Sequence, residues 1–324
     1  MAYHQSNKRK AGEISGLKRR MNAFVKMRAF TKNLDEGFKD LLACNPGARI
    51  KIEHLARDIT ILIDNETDAV IASISLLRDF SYTLIHPIQC AVISTLIADS
   101  AGFDRQEREM LSAAALTANI GMLKLQDTLH LQNKPLSDEQ RLGVMEHPEK
   151  SVEILSNAGV TNRTWLDIVM SHHELADGSG YPHGIDIRTI PRGAQILSIA
   201  DRYTAMMAGR GYRNPISIRD ALRQFLVDDG QLYNEDYCLR LIKALSIFPP
   251  GSFVKLKNGE TAIVVWRGGE NSMQPIVKSI IDPEGLPYKE PIARDCRSRS
   301  YSIDSICRLK SAISLNLSYL WEYT

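Results

Sequence analysis

Apolar residues recur at three- and four-residue steps from Met21 to Phe80, where Phe24, Met27, Phe30, Leu34, Phe38, Leu41 and Leu42 mark one helix face. Asn45-Pro46-Gly47 interrupts that pattern, so the stretch predicts a helical N-terminal region with one break. Residues 81–247 continue as a bundle of helices, two of whose starts are legible from capping chemistry. Asp104-x-x-Glu107 and Ser137-x-x-Gln140 both fit the capping box, in which side chains satisfy backbone N–H groups that have no partner within the helix. The run from Leu111 to Leu123 is small and apolar, which predicts a tightly packed central helix at the heart of any site. After Phe248-Pro249-Pro250-Gly251 the period shortens to that of strands. Ser252–Leu256, an Asn258-Gly259 type I′ turn and Thr261–Trp266 form one expected hairpin. Gln274–Ile281, Asp282-Pro283-Glu284-Gly285 and Leu286–Glu290 form the next.

The expected organisation is a flexible basic tail at 1–20, a helical N-terminal region at 21–80, a helical domain at 81–247, a small β module at 248–296 and a C-terminal tail at 297–324. Composition changes this picture little. With 44% hydrophobic and 24% charged residues, the chain of 324 residues can bury a sizeable core, and a net charge of +2 argues against general affinity for nucleic acid or membrane. Five cysteines, Cys44, Cys90, Cys238, Cys296 and Cys307, lack CxxC spacing and read as reduced thiols. No run of about eighteen apolar residues occurs, and Met1–Gly16 has no signal-peptide core, so a cytoplasmic location is expected.

The chemistry concentrates in Ser171-His172-His173-Glu174-Leu175-Ala176-Asp177-Gly178-Ser179-Gly180-Tyr181-Pro182. Adjacent histidines and nearby acids can ligate a divalent cation, and the glycines and proline say that a helix gives way to a loop there. This HHE-x-x-DG-x-GYP segment resembles the signature of the HD-GYP family, metal-dependent phosphodiesterases that hydrolyse cyclic di-GMP. The resemblance extends over about half the chain and implies a mainly α, HD-type helical bundle. It also implies metal ligands at His86, at His147 within Met145-Glu146-His147-Pro148, at His172 and His173, and at Asp201 within Ile199-Ala200-Asp201. Arg210 and Arg213 match basic positions that contact the dinucleotide phosphates, and Gly178, Gly180, Tyr181 and Pro182 match an open loop that touches signalling proteins.

One family segment is altered. Where the family reads approximately A-L-L-H-D-I-G-K, alignment on Ile120-Gly121 puts Ala118 at the histidine, Asn119 at the bridging aspartate and Met122 at the lysine. A neutral amide offers one weakly basic oxygen and cannot offset the repulsion of paired cations. The expectation is therefore a degenerate HD-GYP signalling protein. It would hold one divalent metal (Fe, Mn, Zn or Ni) rather than two, and bind cyclic di-GMP or a partner protein with little or no hydrolysis. It would have no membrane or specific nucleic-acid partner, and a homodimer is compatible with the sequence. The alternative is an active phosphodiesterase with an altered metal centre.

Overall fold

The computed structural model describes residues 21–77, 79–208, 223–224, 232–268, 274–307, 309 and 315–323. Helix α1, Ala23–Leu42, starts where the Asn22 side chain accepts from the Phe24 and Val25 amides, and its buried face carries Phe24, Met27, Phe30, Leu34, Phe38 and Leu41, whereas Leu42, expected on that face, is exposed at the helix end. Gly47, at φ 83°, makes the left-handed turn that reverses the chain into α2, Ala48–Leu76, which packs along α1. Helix α3, Tyr82–Ser100, is apolar on every side, with Ile88, Ala91, Val92, Ile93 and Ile97 fully buried. Such a helix belongs at the centre of a body, and α2, α4 (Arg105–Thr117) and α9 (Arg192–Met207) pack around it.

Both expected capping boxes are present. Asp104 and Glu107 exchange bonds at the start of α4, and Ser137 and Gln140 do so at the start of α6, Asp138–Met145. The single central helix expected across Leu111–Leu123 is not. Helix α4 ends at Thr117, a 3₁₀ turn covers Ile120–Met122, and α5 begins anew at Leu123 and runs to Leu131.

The cause is tertiary. Helix α7, His147–Asn157, presses on this joint, and its Ser151 hydroxyl donates to the Ala118 carbonyl (2.7 Å) while accepting from the Gly121 amide (3.0 Å). A Cβ on Gly121 would lie 2.7 Å from the His147 carbonyl oxygen and 2.8 Å from the Ser151 nitrogen, so only glycine admits this approach. Helix α8, Arg163–Ser171, then seats Trp165, whose indole N–H donates to Thr117 Oγ1 (2.8 Å) and ties α8 to the end of α4. Helix α10, Glu235–Leu245, closes the helical body against α3.

The β module is one antiparallel sheet in the order β4-β3-β2-β1-β5. Its strands are β1 Phe253–Leu256, β2 Thr261–Trp266, β3 Ile276–Ile281, β4 Pro287–Asp295 and β5 Ile303–Ile306. The first hairpin does not use the expected type I′ turn. Only Gly259 has positive φ (89°), and the Gly259 amide bonds to the Leu256 carbonyl while the Leu256 amide bonds to Glu260. This is a three-residue loop in which a glycine in the left-handed region absorbs the extra residue as a bulge. Beyond β5 the chain folds back over the helices. The last short helix, α11 (Leu317–Leu320), delivers Trp321 onto Phe24 (centroids 5.0 Å apart), and the Trp321 indole donates to the Val265 carbonyl (3.1 Å). An Arg267–Asp68 ion pair adds a second link between the sheet and α2. Among the described residues no helix is long and apolar enough to cross a membrane.

Candidate metal centre

Four helices and a loop bring His86, His147, His172, His173 and Asp201 to one cavity region. His147 opens α7 and His172 follows the last residue of α8, so both sit at helix ends. Each ring is fixed in the same way. His147 Nδ1–H donates to the Val144 carbonyl and His172 Nδ1–H to the Val169 carbonyl, both at 2.6 Å, in each case three residues back along the chain. With the δ nitrogens committed as donors, the ε nitrogens carry lone pairs, and these face each other at 3.2 Å. The ring of His173 lies 5.0 Å from that of His147 and 4.1 Å from that of His172.

Burial first, and then the neighbouring imidazole, pushes His147 and His172 down to about 3, and burial pushes His173 equally low. These are three neutral imidazoles with donor atoms within 4.8 Å of one another, an arrangement suited to a divalent cation and costly without a positive partner.

Asp201 does not complete that set. From α9 its Oδ1 meets His86 Nε2 on α3 at 2.8 Å, and the Thr204 hydroxyl contacts His86 Nδ1 at 3.2 Å. Burial would raise the Asp201 carboxyl, but the His86 bond and charge, joined by His173 and His172, hold it well below the usual carboxylate range. His86 is displaced upward: burial opposes this, while Cys90, Tyr82 and the Asp201 bond outweigh it.

Cys90, four residues after His86 on the same helix face, lies with its sulfur 3.6 Å from His86 Nε2 and 3.2 Å from Thr204 Oγ1. His86, Cys90 and Asp201 thus form a second donor group with the same 4.8 Å spread. Cys90 reads from the sequence only as a reduced thiol, although its His-x-x-x-Cys spacing puts both side chains on one face of a helix.

The altered segment borders both groups. Ala118 is buried and contributes only its carbonyl, to Ser151. Asn119 is buried, and its Oδ1 has no hydrogen-bond partner among the described residues. Together with Met122, His86, His173, Tyr181 and Asp201 it lines a cavity of about 500 Å³, whose rim includes the exposed Lys134. An orphaned buried oxygen beside two sets of lone-pair donors fits a cavity that holds positive charge.

The glycine-rich loop differs from its expected openness at one residue. A Cβ on Gly180 would lie 2.4 Å from the Leu175 nitrogen, so glycine lets the backbone double back onto residues 173–175. The Tyr181 amide donates to the His173 carbonyl (3.1 Å), and its ring stacks on the His173 imidazole, 4.7 Å and 21° away. Tyr181 therefore faces the cavity rather than standing free, and burial together with the Asp201 charge keeps its hydroxyl protonated. Glu174 is a staple, its buried carboxylate accepting from the His183 (2.8 Å) and Ile185 (3.1 Å) amides. Gly178, at φ 75°, and the half-buried Pro182 sit on the outer part of the loop, and Arg210 and Arg213 lie outside the described residues.

The HD domain family profile matches residues 72–235, a span that contains every donor described above. The chain belongs to the HD domain family. Among curated relatives this HD domain protein is 26% identical to cyclic di-GMP phosphodiesterase PA4108 of Pseudomonas aeruginosa over 227 residues, 69% of this chain and 54% of the relative. It is 22% identical to cyclic di-GMP phosphodiesterase PdeB of Borreliella burgdorferi over 201 residues, 62% of this chain and 53% of the relative. The chain spans about half the length of these relatives. Its fold is similar to that of Bd1817, an HDG"Y"P protein from Bdellovibrio bacteriovorus. The TM-score is 0.61 at 17% identity, covering 75% of this chain and 78% of that one.

Proposed function

We propose that this HD domain protein is a cyclic di-GMP-binding signalling protein of the HD-GYP type whose centre holds a divalent cation but hydrolyses the dinucleotide far more slowly than relatives with an intact His-Asp pair. The observation that carries the reading is the contrast within one cavity. His147, His172 and His173 are assembled, the first two with anchored rings, while Ala118 and Asn119 occupy the positions to which the resemblance assigns an imidazole and a carboxylate. The names of the curated relatives supply the nucleotide.

His147, His172 and His173 would hold the divalent cation, which when bound would supply Lewis acidity toward a phosphate oxygen. The chain's own residues do the rest. Carbonyl-anchored δ nitrogens keep the histidines in the ligating tautomer, the Tyr181 ring packs over His173, and Lys134 offers positive charge at the cavity rim. Asn119 adds no negative charge to balance a second cation, and Met122 adds no positive charge for the phosphates. The outer face of the glycine loop, with Gly178 and Pro182, remains available to a signalling partner.

The test pairs calorimetric binding of cyclic di-GMP with measurement of its hydrolysis, for the unmodified chain and for a variant carrying Ala118→His and Asn119→Asp together. Binding with slow turnover is expected from the unmodified chain, and the variant should be faster by on the order of 10²-fold. Fast turnover by the unmodified protein would favour the alternative, an active phosphodiesterase in which the orphaned Asn119 oxygen serves the altered centre. Absence of binding would overturn the reading.

A further inference from the structure

We infer that Cys90 is a thiolate ligand, and that His86, Cys90 and Asp201 form a second, sulfur-containing cation site beside the three histidines. The inference rests on the reading above that the cavity holds divalent cations, and goes beyond it by assigning a new donor and with it a metal preference.

Thr204 Oγ1 donates to the Asp201 main-chain carbonyl (3.0 Å), which leaves its oxygen as an acceptor for His86 Nδ1–H at 3.2 Å. His86 Nε2 then meets a carboxylate oxygen at 2.8 Å, a contact held by a proton in the metal-free protein and one that a cation can take over when that proton leaves. Cys90 Sγ is 3.6 Å from the same nitrogen, so three different donor atoms converge on one point from α3 and α9.

Helix geometry supplies the convergence. Residues four apart lie on the same face, so His86 and Cys90 project together while Asp201 arrives from the facing helix. Both α3 residues are almost wholly buried, at 1% and 2% exposure, which spares the thiol from competing solvent. The other four cysteines belong to no donor group among the described residues.

Charge gives the assignment its logic. With Asn119 where the resemblance implies an aspartate, the cavity lacks one negative charge, and a cysteine thiolate restores one from a different helix. As the sulfur–metal bond forms, the thiol proton passes to solvent. One thiolate, one imidazole and one carboxylate make a mixed donor set that favours zinc, cobalt or iron over magnesium and manganese, which prefer oxygen.

The full chain, stripped with chelator and reloaded with cobalt(II) or zinc, tests this directly. A sulfur-to-cobalt charge-transfer band in the near ultraviolet, and a zinc-bound sulfur at about 2.3 Å by X-ray absorption, are expected. Cys90→Ser should lose both signals while retaining the cation at the three histidines. Its affinity for the second zinc, then held by His86 and Asp201 alone, should fall by more than the roughly 10- to 100-fold that loss of an outer-shell partner costs, as read by chelator competition. Because the spectroscopy reads the unmodified protein, a poorly folded variant does not shield the inference. Bound metal with nitrogen and oxygen neighbours only would overturn the Cys90 assignment, leaving His86 and Asp201 as a proton-linked pair and the proposed cation at the histidines intact. Absence of any bound metal would overturn both.

Discussion

The two donor groups meet at one cavity but are built on opposite principles. His147, His172 and His173 gather at helix ends, where main-chain carbonyls fix the first two rings and every imidazole is neutral. His86, Cys90 and Asp201 project from the interiors of two helices, where side chains fix one another and opposite charges balance. The first group depends on its backbone frame and on staying unprotonated. The second depends on keeping its carboxylate. Their charges still act on one another, since His172 and His173 help to hold Asp201 low, so a perturbation of one group should damage that group more than the other.

The largest effect is expected from Asp201→Asn, which leaves the buried His86 without its anion. Breaking a buried charge pair by removing one partner costs about 3–5 kcal/mol, so the midpoint of denaturant unfolding of the metal-free protein should fall by a corresponding amount. A loss below about 1 kcal/mol would show that the pair is not ionised and would erase the contrast between the groups.

Next comes pH, because the groups should fail at opposite ends. For the three histidines the folded value of about 3 lies below the ordinary 6.5, so as pH falls through 6.5 the unfolded chain takes up protons that the folded one refuses. Stability of the metal-free protein should drop from there down to about pH 3, by on the order of 1.4 kcal/mol per pH unit for each histidine. For His86 the folded value is raised, so its contribution is complete below 6.5 and is lost as pH climbs through that raised value. Replacing His86 with Gln should flatten the alkaline limb and leave most of the acid limb in place, as read from unfolding midpoints across the pH range. If the acid limb flattens instead, the assignment of charge states is reversed.

The same contrast explains what the sequence could reveal. Ligands in the first group announce themselves through short local patterns, His-Pro at a helix start and His-His-Glu at a helix end, because their rings are oriented by backbone within three residues. Capping boxes at Asp104 and Ser137 are legible for the same reason. The second group is set by contact between α3 and α9, more than a hundred residues apart in sequence, so the pairing of Asp201 with His86 is visible only in the fold. Cys90 reads from the sequence only as a reduced thiol, because the helix face it shares with His86 meets Asp201 only in the fold. Tyr181 was expected on an open loop because Gly178 and Gly180 suggest freedom. At Gly180 the missing side chain serves close packing against residues 173–175, and that packing turns the tyrosine inward. The break after Thr117 is equally hidden, since the run to Leu123 is locally a sound helix and only α7 interrupts it.

That interruption provides the finest test, because Ser151 touches neither donor group's ligating atoms yet holds the joint between them. Its hydroxyl donates to the Ala118 carbonyl and accepts from the Gly121 amide, two main-chain groups that a continuous helix would otherwise satisfy. Ser151→Ala leaves both without their partner in a buried setting, which costs about 1–3 kcal/mol. If that were the whole effect, the unfolding midpoint would shift and nothing else would change. The joint also carries Asn119 to the cavity, and α7 carries His147, so loosening the clamp should weaken cation retention at the histidines more than at His86 and Cys90. Chelator competition on the Ser151→Ala variant, read alongside its unfolding midpoint, separates these outcomes. Selective loss from the histidine group would show that the backbone frame positions its ligands, whereas equal loss from both groups would mean that the joint braces the whole cavity and the two are not independent.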